Sequence, residues 1–183
     1  MARKLSYGEI FSRQYEEDGV FDECWEQNEI SYKDAKEIAG RYWRRIPCAG
    51  EYWVSNHGEV VNVAKRKMLK PTSTARGGYL QVDLPFDEDD VIDEETGEII
   101  RYRNTDYHKV YVSQLVAAAF RCNLYNKSQV HHIDEFQKMN NNVLNLVWVT
   151  PTENLNLGTR SKRAGETLRK YAANRRKEKQ AEE

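Results

Sequence analysis

The run Leu144-Asn145-Leu146-Val147-Trp148-Val149 passes without a linker into Thr150-Pro151-Thr152-Glu153, and this junction constrains the fold of the 183-residue chain more than any other segment. Apolar, β-branched and aromatic residues make the first part a strand. Thr150 supplies an N-cap, Pro151 takes the first helical position and Glu153 completes a capping box, so a helix begins at once. Asn154 falls in its first turn, where it can face the strand. Upstream, Gln129-Val130-His131-His132-Ile133 reads as a strand and Asn140-Asn141-Asn142 as a turn. The order is strand, turn, strand, helix.

Adjacent histidines and spaced asparagines have little use in a plain apolar core. They suit a small site for one divalent ion and one proton-accepting imidazole. Histidine, with an ordinary pKa of about 6.5, can accept a proton near neutral pH.

The series His131-His132-Ile133-Asp134, Asn140-Asn141, Asn145-Leu146-Val147-Trp148-Val149-Thr150 and Glu153-Asn154 resembles the HNH (ββα-metal) nucleases over residues 107–157. The resemblance implies phosphodiester hydrolysis in double-stranded DNA. It makes His132 the general base and Asn145 the brace of hairpin and imidazole. His131 and the Asn154 side-chain oxygen become ligands of one divalent ion, Mg2+ or Mn2+. Asp134 and Trp148 are assigned a turn hydrogen bond and hairpin packing, while His57 and His108 are ordinary turn and strand residues. The spacing departs from the family by one extra residue before Asn140-Asn141, and Glu135-Phe136 replaces a glycine-bearing turn. Extra loop residues cost little. Consecutive strand residues face opposite ways, so His131 and His132 can share a site only where the strand bends or ends. Relatives carry His-Arg where this chain has Ser113-Gln114, which puts any contact of that pair in doubt.

Residues 41–85 read as a β module. Glu51 to Val63 is strand, turn and strand about Asn56-His57-Gly58; Lys65 to Lys70 is a basic loop; Gly77 to Leu84 is a strand entered through glycines. Trp43, Ile46-Pro47, Gly50, Tyr52-Trp53-Val54-Ser55-Asn56, Gly58 and Val60 resemble NUMOD4, a module that precedes HNH domains in phage and intron-encoded endonucleases. A phage or mobile-element origin follows from that resemblance.

The expected fold class is α+β: a small β module, then a ββα unit, with helical extensions at both ends. Residues 1–40 are acidic, with helical spacings at Leu5, Ile10 and Phe11, at Phe21 and Trp25, and at Ala35, Ile38 and Ala39. Residues 86–106 form an acidic hairpin or loop, expected to point away from DNA. Tyr107–Val112 is a strand, and Ser113 is expected to cap a short apolar helix, Leu115 to Phe120. Residues 158–183 are a basic helical tail. Net charge is only −1, but local clusters govern phosphate binding. The expected DNA contacts are Lys65, Arg66, Lys67, Lys70, Arg76, Arg160, Lys162, Arg163, Arg169 and Lys170.

Three separated cysteines, Cys24, Cys48 and Cys122, argue against a zinc knuckle and against disulfides, and suit a reducing cytoplasm. No apolar run reaches the roughly 18–20 residues of a membrane span, and Met1-Ala2-Arg3-Lys4-Leu5 leads into no signal-peptide core, so no leader is expected. A monomer without a small-molecule cofactor is expected. Two rival readings remain open: a phage DNA-binding or structural protein with a decayed nuclease fold, and a metal-binding or RNA-directed protein using the aromatics of residues 42–53.

Overall fold

The segment Val112 to Phe120 carries apolar or small residues on nearly every side, and a helix of that kind has to be surrounded. The rest of the fold supplies the surround. The computed structural model describes residues 6–47, 49–75, 77–85, 91–92, 99–100 and 107–157. Helix α1 is Tyr7–Glu17, opened by a capping box in which Ser6 Oγ accepts from the Glu9 amide while the Glu9 carboxylate accepts from the Ser6 amide. Strands β1 (Lys36–Ile38), β2 (Arg41–Arg45), β3 (Tyr52–Ser55), β4 (Val60–Asn62) and β5 (Lys67–Met68) follow, then β6 (Thr72–Ser73) and β7 (Leu80–Pro85). Strands β8 (Val91–Ile92) and β9 (Ile99–Ile100) precede β10 (Tyr107–Tyr111) and α2 (Val112–Phe120). The described chain closes with β11 (Gln129–His132), a 3-10 turn at Val143–Asn145, β12 (Leu146–Val149) and α3 (Pro151–Leu157). Strands β1 to β5 form an antiparallel meander, β10-β7-β6 a second sheet, and β8/β9 and β11/β12 are hairpins.

α2 packs against α1, β3, β7, β10, β11 and β12. Its Leu115, Val116 and Phe120 join Ile46 and Val54 of the meander, Leu84 of β7, and Leu146 and Trp148 of β12 in one continuous core. Module and ββα unit therefore share a core. Arg44 of β2 is buried in it, donating to the carbonyls of Ala119 and Lys33 and lying over the rings of Phe21 and Phe120. Burial pushes its pKa down to about 10. It ties the meander to the C-terminal end of α2, where backbone carbonyls want a cation.

Several expectations are corrected. The helical spacing at Ala35, Ile38 and Ala39 does not make a helix. Residues 36–38 are the edge strand of the meander, because Ala39 (φ 54) and Gly40 (φ 72) form a tight hairpin turn into β2. Ser113 is not a cap: β10 runs directly into α2, Tyr111 is the N-cap position without a side-chain bond, and Ser113 is buried inside the first turn. Cys24 and Cys122, 98 residues apart, are joined in a disulfide, contrary to the cysteine reading. The acidic residues 87–90 and 93–98 and the basic tail lie outside the described residues. Among the described residues no helix is long and apolar enough to cross a membrane.

Candidate active site

The site grows from the β11/β12 hairpin, whose register pairs His131 with Val147 and His132 with Leu146. β11 ends at His132, so the two imidazoles sit at the last two positions of the strand. His132 is 4% exposed. Its Nε2 lies 3.1 Å from Asn141 Oδ1. The Asn141 amide is itself oriented, because its Nδ2 donates to the Met139 carbonyl at 3.3 Å. An amide oxygen only accepts, so Nε2 carries the proton and Nδ1 keeps its lone pair. That Nδ1 is buried and has no hydrogen-bond partner among the described residues. Burial is the largest influence on the group and lowers its pKa; the Asn141 bond opposes this, and the charges of His131 and Lys138 add to it. The imidazole is thus held neutral at neutral pH, with one basic nitrogen uncommitted.

His131 Nδ1 lies 2.8 Å from Asn154 Oδ1. Asn154 Nδ2 donates to Gln129 Oε1 at 2.8 Å, which turns the amide oxygen toward the histidine. Asn154 is delivered there by the capping box: Thr150 N–H donates to Glu153 at 2.7 Å and Glu153 N–H to Thr150 Oγ1 at 3.1 Å. The Thr150 amide bond, then Lys127, holds the Glu153 carboxyl below its ordinary pKa. The donor set is one imidazole nitrogen and one amide oxygen. An amide oxygen only accepts, so His131 Nδ1 donates to Asn154 Oδ1 here; with that proton on Nε2 instead, the nitrogen and the oxygen would both be free to hold one divalent ion.

Asn145 braces the hairpin. Its Oδ1 accepts from Asp134 N–H at 2.9 Å, its Nδ2 donates to the Asn140 carbonyl at 3.0 Å, and its carbonyl accepts from Ile133 N–H at 2.8 Å. The imidazole bond expected of it comes from Asn141 instead. Asp134 makes turn bonds to Phe136 and Gln137, and Trp148 is fully buried with its indole donating to the Arg121 carbonyl. The β module supports the Asn-rich turn directly. Val143 N–H donates to the Asn56 carbonyl at 2.8 Å, and Asn142 Nδ2 meets His57 Nδ1 at 3.2 Å. Gly58 (φ +88) lies so close that a Cβ there would stand 2.7 Å from Asn141 Cβ.

Asn141, Tyr79 and Lys138 were missed by the sequence reading. Tyr79 lies 5.6 Å from the His132 ring, and the Lys138 ammonium sits over Tyr79. Lys65, Arg66, Lys67 and Lys70 are exposed on and after the β4–β5 turn. Arg41 pairs with Glu59 at 2.8 Å. Arg76, Arg160, Lys162, Arg163, Arg169 and Lys170 lie outside the described residues.

Residues 33–85 match the NUMOD4 motif. The chain is 34% identical over 132 residues to "Uncharacterized HNH endonuclease L247" of Acanthamoeba polyphaga mimivirus, a match covering 67% of this chain and 28% of that protein. The chain thus spans little more than a quarter of that relative's length. A solved structure described as DNA binding and cleavage by the HNH homing endonuclease I-HmuI is 29% identical, with a TM-score of 0.49, covering 66% of this chain and 58% of that one. The chain thus carries a NUMOD4 motif at residues 33–85 and, with its ββα hairpin and helix at residues 129–157, is similar to HNH endonucleases.

Proposed function

We propose that the chain is a metal-dependent endonuclease that hydrolyses phosphodiester bonds in double-stranded DNA, encoded by a phage or another mobile element. The observation that carries this reading is the buried His132 imidazole, whose Nε2 is committed to Asn141 and whose Nδ1 has no partner among the described residues. A buried polar atom left unpaired costs stability, and a proton-accepting role explains its retention. His132 Nδ1 takes the proton from the attacking water. Asn141 keeps the imidazole in the tautomer that can do so and stabilises the imidazolium that forms. Asn145 holds the hairpin in register, so that His132 and His131 keep their places at the end of β11.

His131 and Asn154 would hold one divalent ion, Mg2+ or Mn2+. When bound, it supplies positive charge for the phosphate and the departing 3′-oxygen. The exposed Lys65, Arg66, Lys67 and Lys70 give the module a cationic edge suited to the phosphate backbone. Arg76 and the tail residues Arg160, Lys162, Arg163, Arg169 and Lys170 extend that role by sequence. Supercoiled plasmid incubated with the protein in Mg2+, in Mn2+ and in excess EDTA tests the reading. Nicked or linear product with either ion, and none with EDTA, is expected. Binding without cleavage under every condition would favour a DNA-binding protein with a decayed nuclease fold.

A further inference from the structure

Tyr79 belongs to the NUMOD4 motif by position, yet its ring lies against the imidazole of the ββα unit, with centroids 5.6 Å apart and planes at 45°. The same ring carries the Lys138 ammonium 5.0 Å from its centroid and meets Tyr111 edge-on at 6.1 Å. Its place is built by the local chain. Tyr79 N–H donates to Thr74 Oγ1 at 3.3 Å, and its carbonyl accepts from Thr74 N–H at 2.9 Å. Gly77 is needed beneath it, since a Cβ there would stand 2.7 Å from Tyr79 Cδ2. A cleft of about 710 Å³ opens between Gly77-Gly78 and residues 135–140, with Lys138 on its wall.

One hydrogen bond at Nε2 leaves an imidazole free to swing about that bond. The Tyr79 ring, lying against it at a 45° tilt, restricts that swing. A lysine ammonium on a flexible stem likewise has no fixed place until something attracts it, and the negative face of a tyrosine ring does. Resting on the nuclease reading above, we propose that Tyr79 is a positioning residue. It seats the His132 imidazole and the Lys138 ammonium on one ring, so that the proton acceptor keeps a fixed place and a phosphate-binding cation stays on the wall of the cleft. The β module thereby completes the catalytic site as well as binding DNA.

The test compares Tyr79→Phe, Tyr79→Leu, Gly77→Ala, Lys138→Met and the Tyr79→Leu/Lys138→Met double variant in the full chain. Three quantities are read: single-turnover cleavage at saturating DNA, DNA affinity by fluorescence anisotropy, and the tautomer of His132 by imidazole nitrogen NMR without DNA. Tyr79→Phe keeps the ring and should stay within about threefold of the parent in rate and affinity. Tyr79→Leu should lose on the order of tenfold to a hundredfold in rate with affinity nearly unchanged, as misplaced catalytic groups do. Gly77→Ala displaces the ring while leaving Tyr79 in the chain, and should reproduce that loss even if Tyr79→Leu folds poorly. The double variant should be no slower than the slower single one, because Lys138 acts through the same ring. The NMR signature should change from a single Nε2–H tautomer in the parent to an averaged one in Tyr79→Leu and in Gly77→Ala.

A Tyr79→Leu rate within about threefold of the parent, a rate loss matched by an equal loss of affinity, or effects that multiply in the double variant would each overturn the proposal. If the parent cuts no DNA with any ion, the nuclease reading fails on its own, and the tautomer signal still decides the role of Tyr79. An unchanged signal in both Tyr79→Leu and Gly77→Ala would overturn it.

Discussion

Asn141→Ala removes the acceptor of the His132 Nε2 proton while keeping the Cβ that packs toward Gly58. The backbone around the turn keeps its bonds from Asn56 and Asn145, so the perturbation is confined to the imidazole and to the Met139 carbonyl. Leaving a buried N–H unsatisfied costs about 1–3 kcal/mol. The ring escapes that cost by rotating or by moving its proton to Nδ1, and either change removes the lone pair from the place where water is activated. At about 1.36 kcal/mol per tenfold, the cleavage rate should fall roughly 5- to 160-fold. The assay is single-turnover cleavage at saturating DNA, with a melting curve to show that the fold persists. Asn141→Asp provides the control, since a carboxylate still accepts from Nε2. Its charge raises the His132 pKa and moves the acid limb of the rate profile upward, so activity should return as pH rises. An Asn141→Ala variant within about threefold of the parent, or an Asn141→Asp variant as slow as alanine at high pH, would refute the orientation argument.

Three further outcomes follow from the same geometry. Burial places the His132 pKa below its ordinary value of about 6.5, so the cleavage rate should stay level down through that pH and fall only below it. Folding stability should begin to decline near about pH 6.5 and level off below the lowered folded pKa, because the unfolded imidazole binds its proton first as pH drops; a rate midpoint above about 6.5 would contradict the assignment. Gly58→Ala, strained at φ +88 and 2.7 Å from Asn141 Cβ, should lose about 1–3 kcal/mol of stability and also cleavage. Gly40→Ala, at φ +72 with no described residue within 4 Å, should lose stability alone. Neutralising Lys65, Arg66 and Lys67 together should flatten the log–log salt dependence of DNA binding, by about 0.9 for each phosphate that is no longer neutralised. An unchanged slope would place the DNA elsewhere.

The junction at Thr150 was legible because capping is local: the residues that start α3 are adjacent in the chain, and Asn154 follows them by fixed helical geometry. The β11/β12 hairpin was legible for the same reason. The three consecutive asparagines were not resolved, since all are good turn residues and only the docking of Asn56 and Gly58 decides that Asn141 faces the imidazole. In sequence Tyr79 is one residue of a glycine-led strand, and nothing near it points 53 positions onward to His132. The Cys24–Cys122 pairing is equally non-local. Ser113 misled because a serine before an apolar run reads as a cap, whereas here the strand leads straight into the helix and the hydroxyl is buried. The edge strand at residues 36–38 misled because Ala35, Ile38 and Ala39 carry helical spacing while the turn at Ala39-Gly40 determines the pairing.

The central claim is that His132 is the proton acceptor, and single-turnover cleavage by His132→Ala tests it most directly. The base acts in the transition state and contributes little to ground-state binding. The variant should therefore fold and bind DNA like the parent, and cut more slowly by about 10²–10⁴. Cleavage within about tenfold of the parent, by a folded variant with normal DNA affinity, would contradict the account.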